Sequence, residues 1–331
     1  MSFTSVNPAT GRTVATYDLL DAHAVERALA TADEAHRVWR IRPVQERAEP
    51  LEALGSLLRK RKAELAARMT TEMGKPVSQA IAEAEKCAWV CDYYAENATK
   101  QLASTEVRTD ASTSYWAYRP LGVILGIMPW NFPLWQVIRF AVPAITAGNA
   151  ALLKHAPSVG GCAQDLEDLF RDAGYPDGLF ANLYIDVDQA GDLIDDPRVR
   201  GVSLTGSVGA GKAVAQRAGA ALKPCVLELG GSDPSLVLAD ADLELAARSC
   251  ALGRFLNTGQ SCIAAKRFIV VDEVLDAFQE KILEEMASWQ PGDPAHPDTR
   301  LGPMARTDLR DTLHDQVVRS VDAGATLVTG G

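Results

Sequence analysis

Three residues of this chain have types and settings that suit chemistry on a carbonyl group. Cys262 ends the polar segment NTGQSC, where a thiol outside an apolar helix could act as a nucleophile. Glu228 follows an apolar run and precedes two glycines, which suits a general base. Asn131 lies in PWNFP, and its amide could donate to an oxyanion. The structural alternatives for the three are an inert thiol, a solvated carboxylate and a tight β–α corner.

Residues 206–213, GSVGAGKA, nearly match a nucleotide-binding P-loop. Ala213 replaces the hydroxyl that would bind Mg²⁺ in such a loop, which weakens this interpretation. Two interpretations stay open: a glycine-rich turn that enters a helix, or a turn whose N–H groups, beginning with Ser207, meet a phosphate.

Composition excludes several classes of function. The chain has 331 residues and a formal net charge of −10, which disfavours binding to nucleic acid or to anionic membranes. No apolar run is long enough to span a membrane, and no secretory signal precedes the first element. The 6 cysteines contain no CxxC pair and the 5 histidines are scattered, so we expect neither a metal site nor a disulfide framework. A reducing cytoplasm is the expected location.

The elements that must position these residues alternate between strands and helices after Pro120. Strands are predicted at 122–127, 149–154, 180–185, 200–205, 224–229 and 235–238, with helices between them at 133–147, 159–173, 188–194 and 207–220. This order predicts an α/β fold with a doubly wound parallel sheet, in which ligands bind at the carboxyl ends of the strands. A second α/β unit is predicted from a helix at 242–257, a strand at 267–271 and a helix at 273–289. Before Pro120 we expect helices, one of them from Pro43 toward Gly74, and then a short strand arm.

Seven short segments in a fixed order resemble the aldehyde dehydrogenase superfamily, and among its members the bacterial succinate-semialdehyde dehydrogenases. They are NPATG, PWNFP, LLKHAPS, LTGS, LELGG, NTGQSC and LGPM. The resemblance implies a cofactor domain at 1–103 and 120–228, an oligomerisation arm at 104–119 and a catalytic domain at 229–331. It also implies a homodimer or homotetramer.

The resemblance also implies roles for individual residues. Cys262 would attack an aldehyde, Asn131 and the Cys262 N–H would hold the oxyanion, and Glu228 would activate the water that hydrolyses the thioester. The residues implied to bind NAD or NADP are Trp130, Asn131, Lys154, Ala156, Pro157, Gly206, Ser207 and Leu229. No metal is implied.

Departures from the family pattern bear on specificity. Pro157 stands where NAD-preferring members carry a glutamate, so we expect NADP to be accepted at least as well as NAD. Ala264 replaces the second cysteine of some relatives, which removes a regulatory disulfide.

The substrate is indicated by Arg139, eight residues after Asn131, where succinate-semialdehyde dehydrogenases similarly carry an arginine that could bind a carboxylate. The structural alternative is a residue on the helix surface, and Leu256 lies where some semialdehyde enzymes carry another arginine. Glutarate semialdehyde or a range of aliphatic aldehydes is the alternative substrate. A P-loop nucleotide hydrolase and a catalytically silent fold are the alternatives of another class.

Members of the family continue well beyond the equivalent of the final LVTGG. The resemblance therefore implies that the catalytic domain is truncated here. We expect the 331-residue chain by itself to have little activity and to expose apolar surface.

Overall fold

The computed structural model describes residues 1–331. The chain divides into two compact units that are both discontinuous in sequence. The first unit consists of residues 1–5, 15–68 and 80–231. The second unit consists of residues 6–14, 69–79 and 232–331.

The elements up to residue 101 are two strands followed by five helices: β1 Ser2–Val6, β2 Thr13–Asp18, α1 Ala22–Trp39, α2 Val44–Ala48, α3 Pro50–Lys60, α4 Lys62–Met73 and α5 Val77–Gln101. Three helices occupy the range where one was predicted from Pro43 toward Gly74, so that expectation was wrong. A new helix, α3, begins at Pro50, whose missing N–H is tolerated in the first turn of a helix. This helix ends before Arg61, whose backbone leaves the helical conformation.

The predicted arm contains two very short strands, β3 Thr105–Glu106 and β4 Tyr115–Trp116. They pair antiparallel, with Thr105 opposite Trp116.

The remaining elements of the first unit alternate: β5 Val123–Met128, α6 Trp135–Thr146, β6 Ala150–His155, α7 Gly160–Asp172, β7 Phe180–Asn182, α8 Val187–Asp195, β8 Val199–Thr205, α9 Val208–Ala220 and β9 Cys225–Glu228. The five strands form one sheet in the order β7-β6-β5-β8-β9, and each neighbouring pair is parallel. The chain order therefore runs outward from β5 in one direction and then outward from β8 in the other. Because such crossovers are right-handed, helices cover both faces, and the predicted doubly wound sheet is confirmed.

The central strands are apolar because both of their faces are covered. Five of the six residues of β5, VILGIM, are buried, and so are five of the six residues of β6. Gly126 lies in β5 where a Cβ would overlap the ring of Phe140 on α6. This glycine allows α6 to approach the sheet.

The second unit contains β10 Asp233–Val237, α10 Leu243–Phe255, β11 Ala265–Val270, α11 Leu275–Ala287 and α12 Thr307–Asp322. The two strands are parallel and form a two-stranded sheet. A small core holds Val237, Ala251 and Phe278. Other apolar side chains of these strands are open to solvent, with Leu236 67% and Ile269 50% exposed.

The sequence pattern does not predict α12, none of whose side chains is buried. None of the helices combines the length and the apolar character that crossing a membrane requires.

Candidate active site

Seven of the predicted site residues follow the carboxyl ends of four parallel strands of the first unit. Trp130 and Asn131 follow β5, Ala156 and Pro157 follow β6, Gly206 and Ser207 follow β8, and Leu229 follows β9. The order of the strands reverses between β5 and β8, and doubly wound sheets open a ligand crevice at this point. The fold therefore brings the predicted cofactor residues to one edge of one sheet.

The PWNFP turn is held by a glutamate from another helix. Glu83 of α5 is 5% exposed, and its Oε1 accepts hydrogen bonds from the N–H groups of Leu134 and Trp135, both at 2.9 Å. These N–H groups begin α6, which lacks a cap from its own sequence. Within the turn, the Asn131 Oδ1 accepts from the Phe132 N–H at 3.1 Å. This bond orients the side-chain amide of Asn131.

His155 connects this turn to the end of β6. Its Nε2 lies 2.9 Å from the Pro133 carbonyl, and its Nδ1 accepts from the Ala156 N–H at 2.8 Å. These two contacts fit a neutral ring with the proton on Nε2, and the Met128 carbonyl oxygen also lies 3.2 Å from Nδ1. Burial lowers the pKa of His155 to about 4 from 6.5, so the ring stays neutral near pH 7. His155 thereby fixes the loops that carry Asn131 and Lys154 relative to each other.

Lys154 is a partly buried cation at this edge of the sheet. Burial lowers its pKa, and the nearby Asp186 carboxylate opposes this shift only in part. The position three residues later is the exposed Pro157, so no carboxylate side chain stands there. A partly desolvated ammonium group without that carboxylate suits a phosphate ligand.

The segment after β8 is a helix start and not a P-loop. The Ser207 Oγ accepts the Ala210 N–H at 3.2 Å, and α9 begins at Val208. The glycines of GAGKA are therefore helical and form no loop around a phosphate, so the P-loop interpretation was wrong. Gly211 has a packing role, since a Cβ there would lie 2.6 Å from Leu229 Cδ2.

Arg139 meets two other groups at the carboxyl edge. Its side chain is 32% exposed, its Nη2 donates to the Thr205 Oγ1 at 3.3 Å, and the same atom lies 3.6 Å from the Glu228 Oε2. Arg139 is therefore a partly exposed residue of α6 whose guanidinium contacts side chains at the ends of β8 and β9. The sequence did not anticipate its ion pair with the predicted general base.

In the second unit, the loop before Cys262 has an unusual backbone. Asn257, Thr258 and Gly259 are consecutive and all have positive φ, at 56°, 56° and 72°. A β-branched threonine in this conformation is strained, and such strain persists only where other contacts enforce it. The Asn257 N–H donates to the Gln79 Oε1 at 2.7 Å, which is one such contact.

The LGPM segment supplies the other contacts to this loop. The Gly302 N–H donates to the Thr258 Oγ1 at 3.1 Å, and the Ala305 N–H donates to the Gln260 Oε1 at 2.9 Å. Cys262 follows this fixed loop, is half-buried and forms no disulfide. The Lys266 Nζ lies 3.1 Å from the Cys262 carbonyl oxygen, which places a positive charge beside this residue. The loop therefore holds a free, half-buried thiol in a fixed position.

The model of the aldehyde dehydrogenase family matches residues 1–331. The chain belongs to this family. It is 50% identical over 327 residues to a succinate semialdehyde dehydrogenase [NAD(P)+] of Escherichia coli K12, a match that covers 99% of this chain and 71% of that protein. It is 44% identical to a succinate-semialdehyde dehydrogenase [NADP(+)] of Deinococcus radiodurans, with 99% and 69% covered.

Solved aldehyde dehydrogenase structures have the same fold. The succinic semialdehyde dehydrogenase of Streptococcus pyogenes, in complex with NADP+ as the cofactor, superposes with a TM-score of 0.97 and is 36% identical. That match covers 99% of this chain and 72% of the other chain.

Sequence reasoning missed three supporting residues of this aldehyde dehydrogenase: Glu83, His155 and Gln79. His155 lies inside the LLKHAPS segment, so its position beside Lys154 was an available signal. Glu83 and Gln79 lie in an ordinary helical pattern, and their partners are about 50 or more residues away in sequence. Asn131 and Glu228 lie in the first unit, and Cys262 lies in the second.

Proposed function

We propose that this chain carries the site of an NADP- or NAD-dependent oxidation of succinate semialdehyde to succinate. The observation that carries the substrate is Arg139, a half-buried cation at the edge of the sheet where the cofactor residues converge. A guanidinium group binds a carboxylate through two parallel hydrogen bonds, which a plain aliphatic aldehyde cannot form. The names of the relatives from E. coli and D. radiodurans support the same substrate. Glutarate semialdehyde, one methylene longer, is the alternative.

The residues at this edge fit a dinucleotide. Lys154 offers a partly desolvated ammonium group, and the N-terminus of α9 offers backbone N–H groups and the positive end of a helix dipole. Both favour an anionic ligand, and the absence of a carboxylate at Pro157 leaves room for a 2′-phosphate. The residues proposed to hold the cofactor are Trp130, Asn131, Lys154, Ala156, Pro157, Gly206, Ser207 and Leu229. When bound, the nicotinamide ring supplies the acceptor for a hydride.

The chain's own residues divide the remaining chemistry. The Cys262 thiolate forms a C–S bond to the aldehyde carbon, and the carbonyl oxygen becomes an oxyanion that the Asn131 amide and the Cys262 N–H stabilise. Loss of a hydride from that carbon leaves a thioester. Glu228 then takes a proton from water, the hydroxide adds to the thioester, and the C–S bond breaks to release the acid and the thiolate.

The proposal extends to the domain organisation and to the oligomer. The cofactor domain comprises residues 1–103 and 120–228, the catalytic domain begins at 229, and residues 104–119 form an arm for a homodimer or homotetramer. The exposed aromatic side chains of Tyr115 and Trp116 support an interface at the arm. The enzyme is proposed to be cytoplasmic, in keeping with its free cysteines.

The ion pair with Glu228 gives Arg139 two possible effects, and kinetics with two aldehydes separate them. If Arg139 binds the substrate carboxylate, Arg139→Ala raises KM for succinate semialdehyde about 10- to 100-fold and leaves KM for butyraldehyde nearly unchanged. If it acts only through Glu228, both substrates lose kcat equally, and the substrate assignment is wrong. Arg200→Ala, at the amino end of β8, is the matched control and should change neither.

Alkylation tests the site without turnover. We expect iodoacetamide to modify Cys262 before the buried Cys87, Cys91 and Cys162, and succinate semialdehyde to protect it. Equal labelling with and without the aldehyde would contradict the role of Cys262. A panel of aldehydes, each with NAD and with NADP, then ranks substrates and cofactors. A preference of several hundredfold for NAD would contradict the argument from Pro157.

A further inference from the structure

A cavity of about 970 Å³ opens in the first unit at the base of the arm, away from the carboxyl edge of the sheet. Its lining includes four arginines, Arg40, Arg42, Arg47 and Arg119, and one carboxylate, Glu106. The charged side chains of the lining thus sum to +3 in a chain of net charge −10. This local reversal of sign concentrates anions at the cavity.

Arg47 is the group that requires an explanation. Its side chain is 6% exposed, its Nε has no hydrogen-bond partner, and no carboxylate lies within ion-pair distance. The Nη1 donates only to the Ala147 carbonyl, at 3.3 Å. A buried guanidinium without a counter-charge is costly, and burial lowers its pKa. An anion in the cavity would supply the missing partner.

The surrounding backbone is shaped to hold this arginine. Gly148 has a φ of +101°, and a Cβ there would overlap the Arg47 Nη1 and lie 2.6 Å from Pro120 Cγ. The Asn149 Oδ1 accepts the N–H groups of Leu121 and Gly122, at 2.7 and 3.1 Å. These bonds fix the segment that follows Arg119.

A second arginine of the cavity is also held in place. The Arg42 guanidinium lies 5.3 Å from the centre of the Trp39 ring, and the Trp39 Nε1 donates to the Ile145 carbonyl at 2.8 Å. A ring fixed in this way orients the cation above it.

From this arrangement we propose that the cavity is a binding site for a small multiply charged oxyanion, such as phosphate or a dicarboxylate. Guanidinium groups recognise both through paired hydrogen bonds. The site is independent of the proposed oxidation, because it shares no residue with the cofactor or substrate sites.

Calorimetric titration of the chain with inorganic phosphate, at constant ionic strength set by chloride, tests the proposal. We expect one saturable site that Arg42→Gln/Arg119→Gln weakens at least tenfold. These two side chains are exposed, so the double variant should keep its fold. The matched control Arg12→Gln/Arg27→Gln removes the same charge from exposed positions elsewhere and should leave the affinity unchanged.

Two further variants locate the anion. Arg47→Met should also abolish the saturable binding, whereas Lys154→Met, at the cofactor edge, should retain it. Succinate in place of phosphate, titrated in the same way, decides between the two anion classes. Equal phosphate affinity in the wild type and in Arg42→Gln/Arg119→Gln would overturn the proposal. So would a shift of the double variant from oligomer to monomer in sedimentation with phosphate affinity unchanged, because the cavity would then receive acidic side chains of a second copy.

Discussion

Acidification should destabilise this protein in part through His155, one of its two buried histidines. The pKa of His155 lies at about 4 in the folded chain, against 6.5 for an ordinary histidine. Between these values the unfolded chain binds a proton at this residue and the folded chain does not. Because the pKa of His155 is lowered in the folded state, its contribution to the free energy of unfolding is fully present above about pH 6.5. That contribution is lost as the pH falls toward 4. Linkage across this window gives a loss of about 2 kcal/mol at pH 5 relative to pH 8.

The measurement is the free energy of unfolding in urea, at pH 5 and pH 8, for the wild type and His155→Gln. Glutamine keeps one donor and one acceptor in its side chain, but it does not titrate. The stability advantage of the wild type should therefore shrink by about 2 kcal/mol at the lower pH. His23→Gln, at an exposed position, is the control and should leave that pH dependence intact. Parallel pH profiles for the wild type and His155→Gln would refute the reasoning.

Three other predictions concern the five-stranded sheet and the residues that pack against it. Burial lowers the pKa of Lys154, so the affinity of the site for the NADP 2′-phosphate should fall as the pH rises through that lowered value. Fluorescence titrations of cofactor binding should show this fall for NADP with the wild type. They should show no such fall for NAD, or for NADP with the variant Lys154→Arg. Glu83→Ala leaves two N–H groups of the α6 start without an acceptor and should cost about 2–4 kcal/mol of unfolding free energy, with Glu83→Gln much closer to wild type. Gly126→Ala should lower the free energy of unfolding by about 1–3 kcal/mol, because the added methyl group overlaps the Phe140 ring. If the second substitution Phe140→Leu fails to restore stability to Gly126→Ala, this explanation is wrong.

The sequence alone determined the alternation of elements and most of the strand ends. The exception in the sheet is β7, predicted at 180–185 and observed at Phe180–Asn182. Runs such as VILGIM are long enough for buried strands, and the segments that follow them contain the glycines and prolines of tight turns. The predicted strand at 122–127 is observed at Val123–Met128, and the predicted helix at 207–220 at Val208–Ala220. These signals are local, which is why one sequence suffices to read them. The placement of Asn131, Ser207 and Leu229 at one edge follows from the rule that parallel strands align their carboxyl ends.

Only the tertiary structure decided which side chains support and perturb the site. Glu83 caps α6 from 51 residues away, and Gln79 reaches the loop before Cys262 from 178 residues away. The pairing of Arg139 with Glu228 and the isolation of Arg47 are likewise products of packing. No sequence periodicity or motif indicates such contacts. A hydrogen bond or an ion pair depends on the distance between its partners in space, and the number of residues between them in the sequence can take any value. The sequence thus indicated which groups are proposed to react, and the fold set their partners and their burial.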